Sequence, residues 1–491
     1  MSDGPEHTDV VVVGGGNAGF SAAQAAARRG RHVLLLEKGG PDEAGGNSYY
    51  TAGAFRVAHG GLDDIGDLVE HDDRRRETVL DPYPVETFRS DMERVTGGRA
   101  EPALVTALVE ESRWALSWLR DLGLRFRLMY ERQSYPDRSG RHVFWGGLAV
   151  GVVDGGHGLI AQHTAAAKAA GIEVRYGHRC EELLVEDGRV VGVTWRDESG
   201  TRGSVRADSV ILAAGGFEAD PELRREHLGE GWQWAKVRGT PLNTGDMLAA
   251  ASKAGAAAGG DWSSCHSVAW DANAADSGDR LLTNRLTRQS YPLGIVVNAE
   301  GLRFVDEGAD FRNYTYAKYG AAILRQPHGV AYQVFDATLR PQLRAEEYDS
   351  PGASVLVADS LEELAGKAGI ALDNFVTTVT EFNADIDRDV DYDPAVKDGR
   401  AARGVTPPKS NWAMPLETGP YYAFPVTCGI TFSFGGLRGD PHGRVLDESG
   451  EPIPGLFVCG EMLGGLFSGN YPGGSGLTSG TVFGRRAGSL A

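Results

Sequence analysis

Three glycines near the start of the chain stand in a spacing that serves to bind phosphate. Gly14, Gly16 and Gly19 form the pattern G-x-G-x-x-G, and Glu37 follows about 20 residues later. In this pattern the first glycine permits a tight turn, the second lets backbone N–H groups approach a pyrophosphate, and the third lets a helix pack close to a strand. The predicted chemistry is dinucleotide binding at a helix amino terminus.

Glu37 and the remaining glycines narrow this prediction. A carboxylate at Glu37 accepts hydrogen bonds from ribose hydroxyls and repels a 2′-phosphate, which argues against NADP. Residues 151–156 are rich in glycine but lack the spacing and the flanking strand of a second fingerprint. The 68 glycines of the chain cluster in short groups, which indicates many places where backbone turns tightly or approaches a ligand.

The elements around the glycine turn predict a βαβ unit. Residues 9–13 form an apolar run typical of a buried parallel strand, residues 17–29 suit a helix that stops at Gly30, and residues 32–36 form the second strand. Farther along, the patterns predict antiparallel strands over residues 172–185, 189–195 and 203–205, a buried strand over 209–213, and helices over 101–122, 158–170, 244–256 and 361–384.

The chain is long enough for two domains. Residues 262–412 are richer in aromatic residues and aspartate than the rest, and a glycine-rich apolar portion follows them. We therefore predict an α/β fold in which a Rossmann-like nucleotide-binding domain is assembled from both chain ends, residues 1–261 and 413–491. Residues 262–412 are then an inserted α+β cap over the substrate.

Composition excludes several kinds of partner. The chain has 49 basic and 67 acidic residues, a net charge of −18, which argues against nucleic acid and anionic membranes as partners. No apolar run approaches the ~20 residues that span a bilayer. The start shows no secretory signal, so a cytoplasmic location is predicted. None of the four cysteines lies in a C-x-x-C spacing, so no metal centre is expected.

Four further segments occur along the chain in a fixed order: residues 45–48 (GGNS), 213–216 (AAGG), 243–246 (NTGD) and 455–461 (GLFVCGE). With these segments, residues 9–488 resemble the flavoprotein family of fumarate reductases and succinate dehydrogenases. The resemblance implies FAD as the cofactor and hydride transfer between flavin N5 and a substrate carbon. The residues implied to bind FAD are Gly14, Gly16, Asn17, Ala18, Gly19, Glu37, Lys38, Gly46, Asn47, Ser48, Gly53, Cys180, Ala214, Gly215, Asp246, Gly460, Glu461, Gly476 and Leu477.

Within that family the sequence is most similar to the tricarballylate dehydrogenase branch. The similarity rests on residues 262–271, 303–314, 431–436 and 470–474. Three departures from other members matter. The segment His-His-Thr-Met-Gly-Gly of fumarate reductases reads Thr-Phe-Ser-Phe-Gly-Gly at 431–436, so a substrate-binding histidine is missing. Tyr471 and Pro472 stand where those enzymes have a substrate-binding arginine. Residues 45–53 contain no histidine to attach FAD, so the FAD is expected to be noncovalent.

The resemblance also implies two catalytic residues, Arg312 and His266, and Tyr471 is a third candidate because it occupies the place of the missing arginine. Arg312 matches the arginine that transfers a proton, with Glu307, Asp310 and Tyr314 as candidate relays by nearness in the sequence. His266 matches a histidine at the start of the cap that contacts a substrate carboxylate. A tyrosine at 471 can donate a hydrogen bond to a carbonyl or carboxylate, or act as acid or base.

These residues predict an oxidoreductase acting on a C–C/C=C bond of a small anionic substrate, with tricarballylate dehydrogenation or its reverse as the most concrete instance. The electron acceptor or redox partner is unknown. Two alternatives stay open. One is a ketosteroid-type Δ1-dehydrogenase, because ketosteroid dehydrogenases also have a tyrosine before a Pro-Gly pair. The other is a flavin electron carrier without substrate chemistry of its own.

Overall fold

The computed structural model describes residues 6–491, so most of the segment on which the missing secretory signal was predicted lies outside the described residues. The strands are β1 Glu6–Val13, β2 Val33–Leu36, β3 Ala54–Phe55, β4 Thr78–Leu80, β5 Phe126–Leu128, β6 Ser134–Pro136, β7 His142–Phe144, β8 Val150–Val152, β9 Glu173–Arg175, β10 His178–Glu186, β11 Arg189–Asp197, β12 Arg202–Leu212, β13 Lys236–Val237, β14 Ala258–Asp271, β15 Ile295–Asn298, β16 Val330–Phe335, β17 Leu356–Ala358, β18 Tyr421–Leu437, β19 Arg444–Leu446 and β20 Pro452–Val458. The helices are α1 Asn17–Arg28, α2 Gly46–Tyr49, α3 Leu62–Gly66, α4 Val85–Thr96, α5 Pro102–Asp121, α6 Tyr130–Gln133, α7 Gly155–Ala169, α8 Pro221–Leu228, α9 Asp246–Lys253, α10 Tyr316–Leu324, α11 Ala345–Tyr348, α12 Leu361–Ala368, α13 Leu372–Asp385 and α14 Ser475–Leu490.

The larger sheet holds the predicted βαβ unit. Its order is β10-β11-β12-β1-β2-β9, and β20, near the carboxyl end of the chain, pairs in parallel with β12. β1 lies between β12 and β2, parallel to both. Because a strand between two parallel neighbours is covered on both faces, its sequence is a continuous apolar run, and residues 10–13 are all buried.

The two ends of the chain meet in one layer beside this sheet. Helix α14 packs on α1 so closely that a Cβ on Gly488 would lie 2.0 Å from the carbonyl oxygen of Ala22. This contact, with β20 in the sheet, confirms the predicted α/β fold with a Rossmann-like unit built from both chain ends.

A second sheet has the order β13-β18-β16-β15, with β14 and β17 also paired to β18. Strands β14 and β18 pair antiparallel over most of their length. The predicted domain boundary between residues 261 and 262 falls inside β14. The domain boundaries therefore stay a prediction. No helix within residues 6–491 combines the length and apolar character needed to cross a membrane.

Four local predictions are corrected. Residues 203–205 and 209–213 form one strand, β12, because its first part pairs with β11 and its last part with β1 and β20. Within residues 172–185, β9 pairs in parallel with β2 and only β10 is antiparallel. The helix predicted over 361–384 is two helices, because Gly369 adopts φ +69° and ends α12. The helix predicted over 244–256 is α9, which begins at Asp246, two residues later.

Candidate functional site

One long cavity runs from the glycine turn after β1 to the carboxyl-terminal glycine segment. Most of the predicted FAD residues line this cavity, as do Arg312 and Tyr471. Three predicted residues do not line it, namely Gly19, Gly53 and His266. The roles of the site residues therefore remain predictions. Contact with the cavity supports most of them, but not those of Gly19, Gly53 and His266.

The turn between β1 and α1 has the shape that the glycine spacing requires. Gly14 adopts φ +106°, and a Cβ on Gly19 would lie 1.9 Å from the carbonyl oxygen of Gly14. Gly19 thus acts through packing rather than by facing the ligand. The N-cap residue Gly16 provides no side-chain cap, and Asn17 N donates to Ser48 Oγ at 3.0 Å. The other N–H groups of this first turn can receive a pyrophosphate.

Glu37 supports this turn from the end of β2. One carboxylate oxygen accepts a hydrogen bond from Gly15 N at 2.6 Å and the other from Gly39 N at 2.8 Å. Burial raises the pKa of Glu37, and the two amide donors oppose that rise. Its position at the cavity wall fits the predicted ribose contact.

An ion-pair network lies at the same end of the cavity. Lys38 Nζ donates to Asp246 Oδ2 at 2.8 Å, and Arg179 Nη2 donates to Asp246 Oδ1 at 2.7 Å. Lys38 also donates to the carbonyl oxygen of Leu242. The network holds the start of α9 against β2 and β10, and so fixes the cavity wall next to Cys180.

Two neighbouring carboxyl groups lie at the middle of the cavity, where Glu461 lines the wall and Glu218 lies behind it. Asn47 Nδ2 donates to Glu218 Oε1 at 2.6 Å, and Ser433 N donates to Glu461 Oε1 at 2.8 Å. Burial raises the pKa of Glu461 well above its usual range, and the neighbouring Glu218 adds to the rise. Burial also raises the pKa of Glu218. Two buried carboxyl groups side by side disfavour full ionisation of the pair, which limits the negative charge beside a bound cofactor.

These features fit FAD. The uncapped start of α1 suits a pyrophosphate, Glu37 suits a ribose, and the uncapped start of α14 after Gly474 opens on the far part of the cavity. Residues 45–53 carry no histidine, so noncovalent binding stays the prediction.

Arg312 is buried in the far wall of the cavity. Its guanidinium donates to the side chain of Gln289, to Gln133 Oε1 at 2.8 Å and to the carbonyl oxygen of Arg132 at 2.6 Å. All three partners are uncharged acceptors. Burial lowers the pKa of Arg312, and the neighbouring Arg344 lowers it further.

The three relay candidates for Arg312 have other partners. Glu307 accepts from Arg303 Nε at 3.1 Å, and Asp310 accepts from Arg94 Nη1 at 2.7 Å. Tyr314 donates to Asp91 at 2.6 Å. Closeness in sequence was misleading because each of these side chains is engaged by a charged residue other than Arg312.

His266 lies behind the cavity wall. Its ring stacks on Phe432 at 5.1 Å and meets Tyr316 and Tyr471 edge-on, and neither ring nitrogen has a hydrogen-bond partner within residues 6–491. Burial lowers the pKa of His266 well below its usual range, and the charge of Arg238 adds to this. The predicted contact of His266 with a substrate carboxylate stays a prediction, because aromatic rings enclose the imidazole and it does not line the cavity.

Sequence reasoning missed several polar residues of the far cavity. They are Arg132, Gln133, Arg238, Asn284, Gln289, Asn313, Tyr316 and Thr431. They come from separate segments and form no spacing pattern, so the sequence carried no direct indication of them. Two of them, Asn313 and Thr431, lie inside the segments 303–314 and 431–436 that carried the resemblance, and this position was the signal that could have identified them.

Comparison with known proteins places the chain in a family. Residues 9–477 match the family described as FAD binding domain, and the chain belongs to that family. FAD is therefore its cofactor.

Two relatives and one solved structure show what the chain is similar to. It is 30% identical over 412 residues to a probable fumarate reductase of Shewanella frigidimarina, covering 83% of this chain and 64% of that protein. It is 28% identical over 360 residues to a 3-oxosteroid 1-dehydrogenase of Mycolicibacterium smegmatis, covering 69% of this chain and 62% of that protein. The open conformation of a flavocytochrome c3 fumarate reductase superposes with a TM-score of 0.73 at 29% identity, covering 99% of this chain and 78% of that one.

The chain thus spans less than two thirds of the length of both relatives. The resemblance to the fumarate reductase flavoproteins is confirmed at the level of the family. The similarity to the tricarballylate dehydrogenase branch is a finer statement that these relatives do not address.

Proposed function

We propose that this protein is an FAD-dependent oxidoreductase that transfers a hydride between flavin N5 and a C–C/C=C bond of a small polycarboxylate. Tricarballylate dehydrogenation, or its reverse, is the most concrete instance. The cytoplasmic location and an unidentified redox partner are parts of the same proposal.

The observation that carries the proposal is the charge of the far cavity. Arg132, Arg238 and Arg312 all line it, and each is at most 8% exposed. Arg132 is balanced by Glu346 and Glu347, at 2.6 Å and 3.0 Å. Arg312 and Arg238 have no carboxylate partner within residues 6–491. Because a buried charge without a counter-ion costs several kcal/mol, the cavity favours an anionic ligand.

Hydride transfer and proton transfer are assigned to different groups, the first to FAD and the second to residues of the chain. When bound, FAD supplies the group that accepts or gives the hydride. Arg312 gives or takes the proton at the neighbouring substrate carbon. Its lowered pKa makes loss of a proton easier than for an exposed arginine. Gln133 and Gln289 fix the orientation of the guanidinium, so the proton is directed at one position.

The ketone alternative also has a specific observation in its favour. Tyr316 and Tyr471 form a hydrogen-bonded pair on the cavity wall, close to the apolar rings of Phe432, Phe434 and Phe467. Such a wall suits a cyclic ketone, with a tyrosine hydroxyl donating to its carbonyl oxygen. Arg238 and Arg312 have no role in binding a neutral ketone, and this is why we prefer the polycarboxylate.

A panel of substrates under anaerobic conditions tests the proposal. The bound flavin is followed by absorbance while tricarballylate, succinate and other acyclic polycarboxylates are added, with 3-ketosteroids and cyclohexanone carboxylates as the competing set. Bleaching by a polycarboxylate supports the proposal, and bleaching by neutral ketones alone overturns it. If no compound bleaches the flavin, and no unsaturated polycarboxylate reoxidises flavin that an external reductant has reduced, the electron-carrier hypothesis replaces it.

A further inference from the structure

Arg238 is a buried cation whose positive charge has no counter-ion. It follows β13 directly, is 8% exposed and lines the cavity. Its Nε donates to Thr431 Oγ1 at 2.8 Å. Within residues 6–491, no carboxylate pairs with it and no acceptor bonds its Nη1 or Nη2. Nη1 and Nη2 can therefore both donate hydrogen bonds to a ligand in the cavity.

The backbone fixes the direction of this guanidinium. Arg238 N donates to the carbonyl oxygen of Ile430 at 2.7 Å, which joins the residue to β18 one position before Thr431. A main-chain bond and a side-chain bond to neighbouring residues of one strand leave the side chain little freedom. The terminal nitrogens are thus preorganised for a ligand rather than free to fold onto the surface.

The residues around Arg238 show which part of the cavity its guanidinium lies in. Its charge lowers the pKa of His266, whose ring lies against Tyr316, Phe432 and Tyr471. Phe432 and Tyr471 occupy the two positions where the resembled fumarate reductases carry a histidine and an arginine. The guanidinium of Arg238 thus lies beside the two positions where this chain lacks the histidine and the arginine of the fumarate reductases.

We propose that Arg238 binds a substrate carboxylate, together with Thr431 as its orienting partner, and that it selects substrates with a second carboxylate besides the one near Arg312. The inference rests on the proposed function and names the residue that sets its substrate class. An arginine suits this role because its planar guanidinium can donate two parallel hydrogen bonds to one carboxylate.

The test compares three variants with the wild-type holoenzyme. R238Q removes the charge and keeps a polar side chain, R238K keeps the charge and removes the planar fork, and K236Q is the matched control. Lys236 lies two residues earlier, in β13, and does not line the cavity. Tricarballylate, succinate and acetate are the probes, and their dissociation constants are read from the perturbation of the flavin spectrum.

We expect R238Q to weaken tricarballylate and succinate binding by about 30-fold or more, the loss typical of one buried charge-assisted partner. R238K should recover part of that loss. Acetate, with a single carboxylate, should change far less, and K236Q should match the wild type with every probe.

Three results would overturn the inference in distinguishable ways. Unchanged polycarboxylate affinity in R238Q removes the role of Arg238 and leaves the proposed function standing. Unchanged affinity together with altered sulfite binding by the flavin shows that the guanidinium serves the cofactor instead. Failure of the wild type to bind any polycarboxylate removes the proposed function and the inference with it.

A further variant, T431V, provides a test that does not depend on R238Q retaining FAD. T431V removes the hydroxyl that accepts from Arg238 Nε and keeps the shape and backbone of β18. Loss of this one orienting bond should weaken tricarballylate by about tenfold. An unchanged dissociation constant in T431V with FAD bound contradicts the inference.

Discussion

The hydroxyl oxygens of Tyr316 and Tyr471 lie 2.6 Å apart on the cavity wall, where the start of α10 meets the carboxyl-terminal glycine segment. Only one of the two hydroxyls can donate along this bond, so the other O–H remains available to the cavity. Burial raises the pKa of Tyr471 well above its usual range, and Tyr316 adds to the rise. Tyr471 therefore acts as a protonated donor, and the two tyrosines form one unit.

This pairing predicts non-additive effects. Y316F and Y471F should each slow anaerobic flavin reduction, and the double variant should be little slower than the worse single one, because either change breaks the same unit. Stopped-flow absorbance measures the rates. Y332F is the control, since Tyr332 is a half-buried tyrosine outside the cavity that donates to the carbonyl oxygen of Ala368. Fully additive losses would contradict the pairing.

Arg312 should be required for the reaction and not for the cofactor. We expect R312Q to retain FAD and to slow substrate-driven flavin reduction by about 100-fold or more, the usual contribution of a general acid or base. Flavin content and stopped-flow reduction are measured on the same sample. Wild-type rates in R312Q with FAD bound would eliminate the acid–base role.

Gly19 should be essential for holding FAD through packing alone. G19A places a methyl group against the carbonyl oxygen of Gly14 and must displace α1 from the glycine turn. The expected result is protein purified with much less flavin. G366A is the matched control, because Gly366 in α12 has open space around it, and alanine there should raise helix stability by about 0.5–1 kcal/mol. Full flavin content in G19A would refute this packing role.

His163 should make the protein less stable in mild acid. Its Nε2 lies 3.0 Å from Asn17 Oδ1 at the start of α1, and burial lowers the pKa of His163 to about 3. An unfolded histidine has a pKa of about 6.5, so between these values the unfolded state binds the extra proton and stability falls as pH falls. At pH 5 the loss is about 2 kcal/mol relative to pH 7.5.

Denaturant unfolding at the two pH values measures this loss. H163Q should show a smaller difference between pH 7.5 and pH 5 by about 2 kcal/mol. H157Q, at an exposed histidine in the same helix, should behave as the wild type. Equal pH dependence of H163Q and the wild type would show that His163 is not buried neutral.

The FAD should be released when the protein unfolds. Acid precipitation of purified protein is expected to leave the flavin in the supernatant, because residues 45–53 offer no histidine for attachment. Flavin that stays with the pellet and with the denatured chain on electrophoresis would show a covalent bond at another residue.

The part of the site whose geometry follows from the sequence is the part made by adjacent residues. The turn Gly14–Gly19 and the acid Glu37 lie within one βαβ unit, so their spacing along the chain directly gives their arrangement in space. The same holds for the continuous apolar run of β1. Local sequence patterns are informative where neighbours in sequence are neighbours in the site.

The substrate side was predicted less well because it is assembled from distant segments. Arg132, Arg238 and Gln289 lie far apart in the sequence and come together only in the folded chain. No spacing pattern connects them. His266 was assigned a ligand role from its position in a resembling segment, but aromatic rings enclose it. Gly369, by contrast, was a readable helix stop whose positive φ separates α12 from α13.

Single-turnover flavin reduction by deuterated tricarballylate tests the central claim most directly. We expect the protein, mixed anaerobically with saturating tricarballylate or a close polycarboxylate, to lose its flavin absorbance. Deuterium at the methylene and methine carbons should slow this loss by a primary isotope effect. If acyclic polycarboxylates leave the flavin oxidised while a neutral cyclic ketone reduces it, the cavity arginines have been misread and the account is wrong.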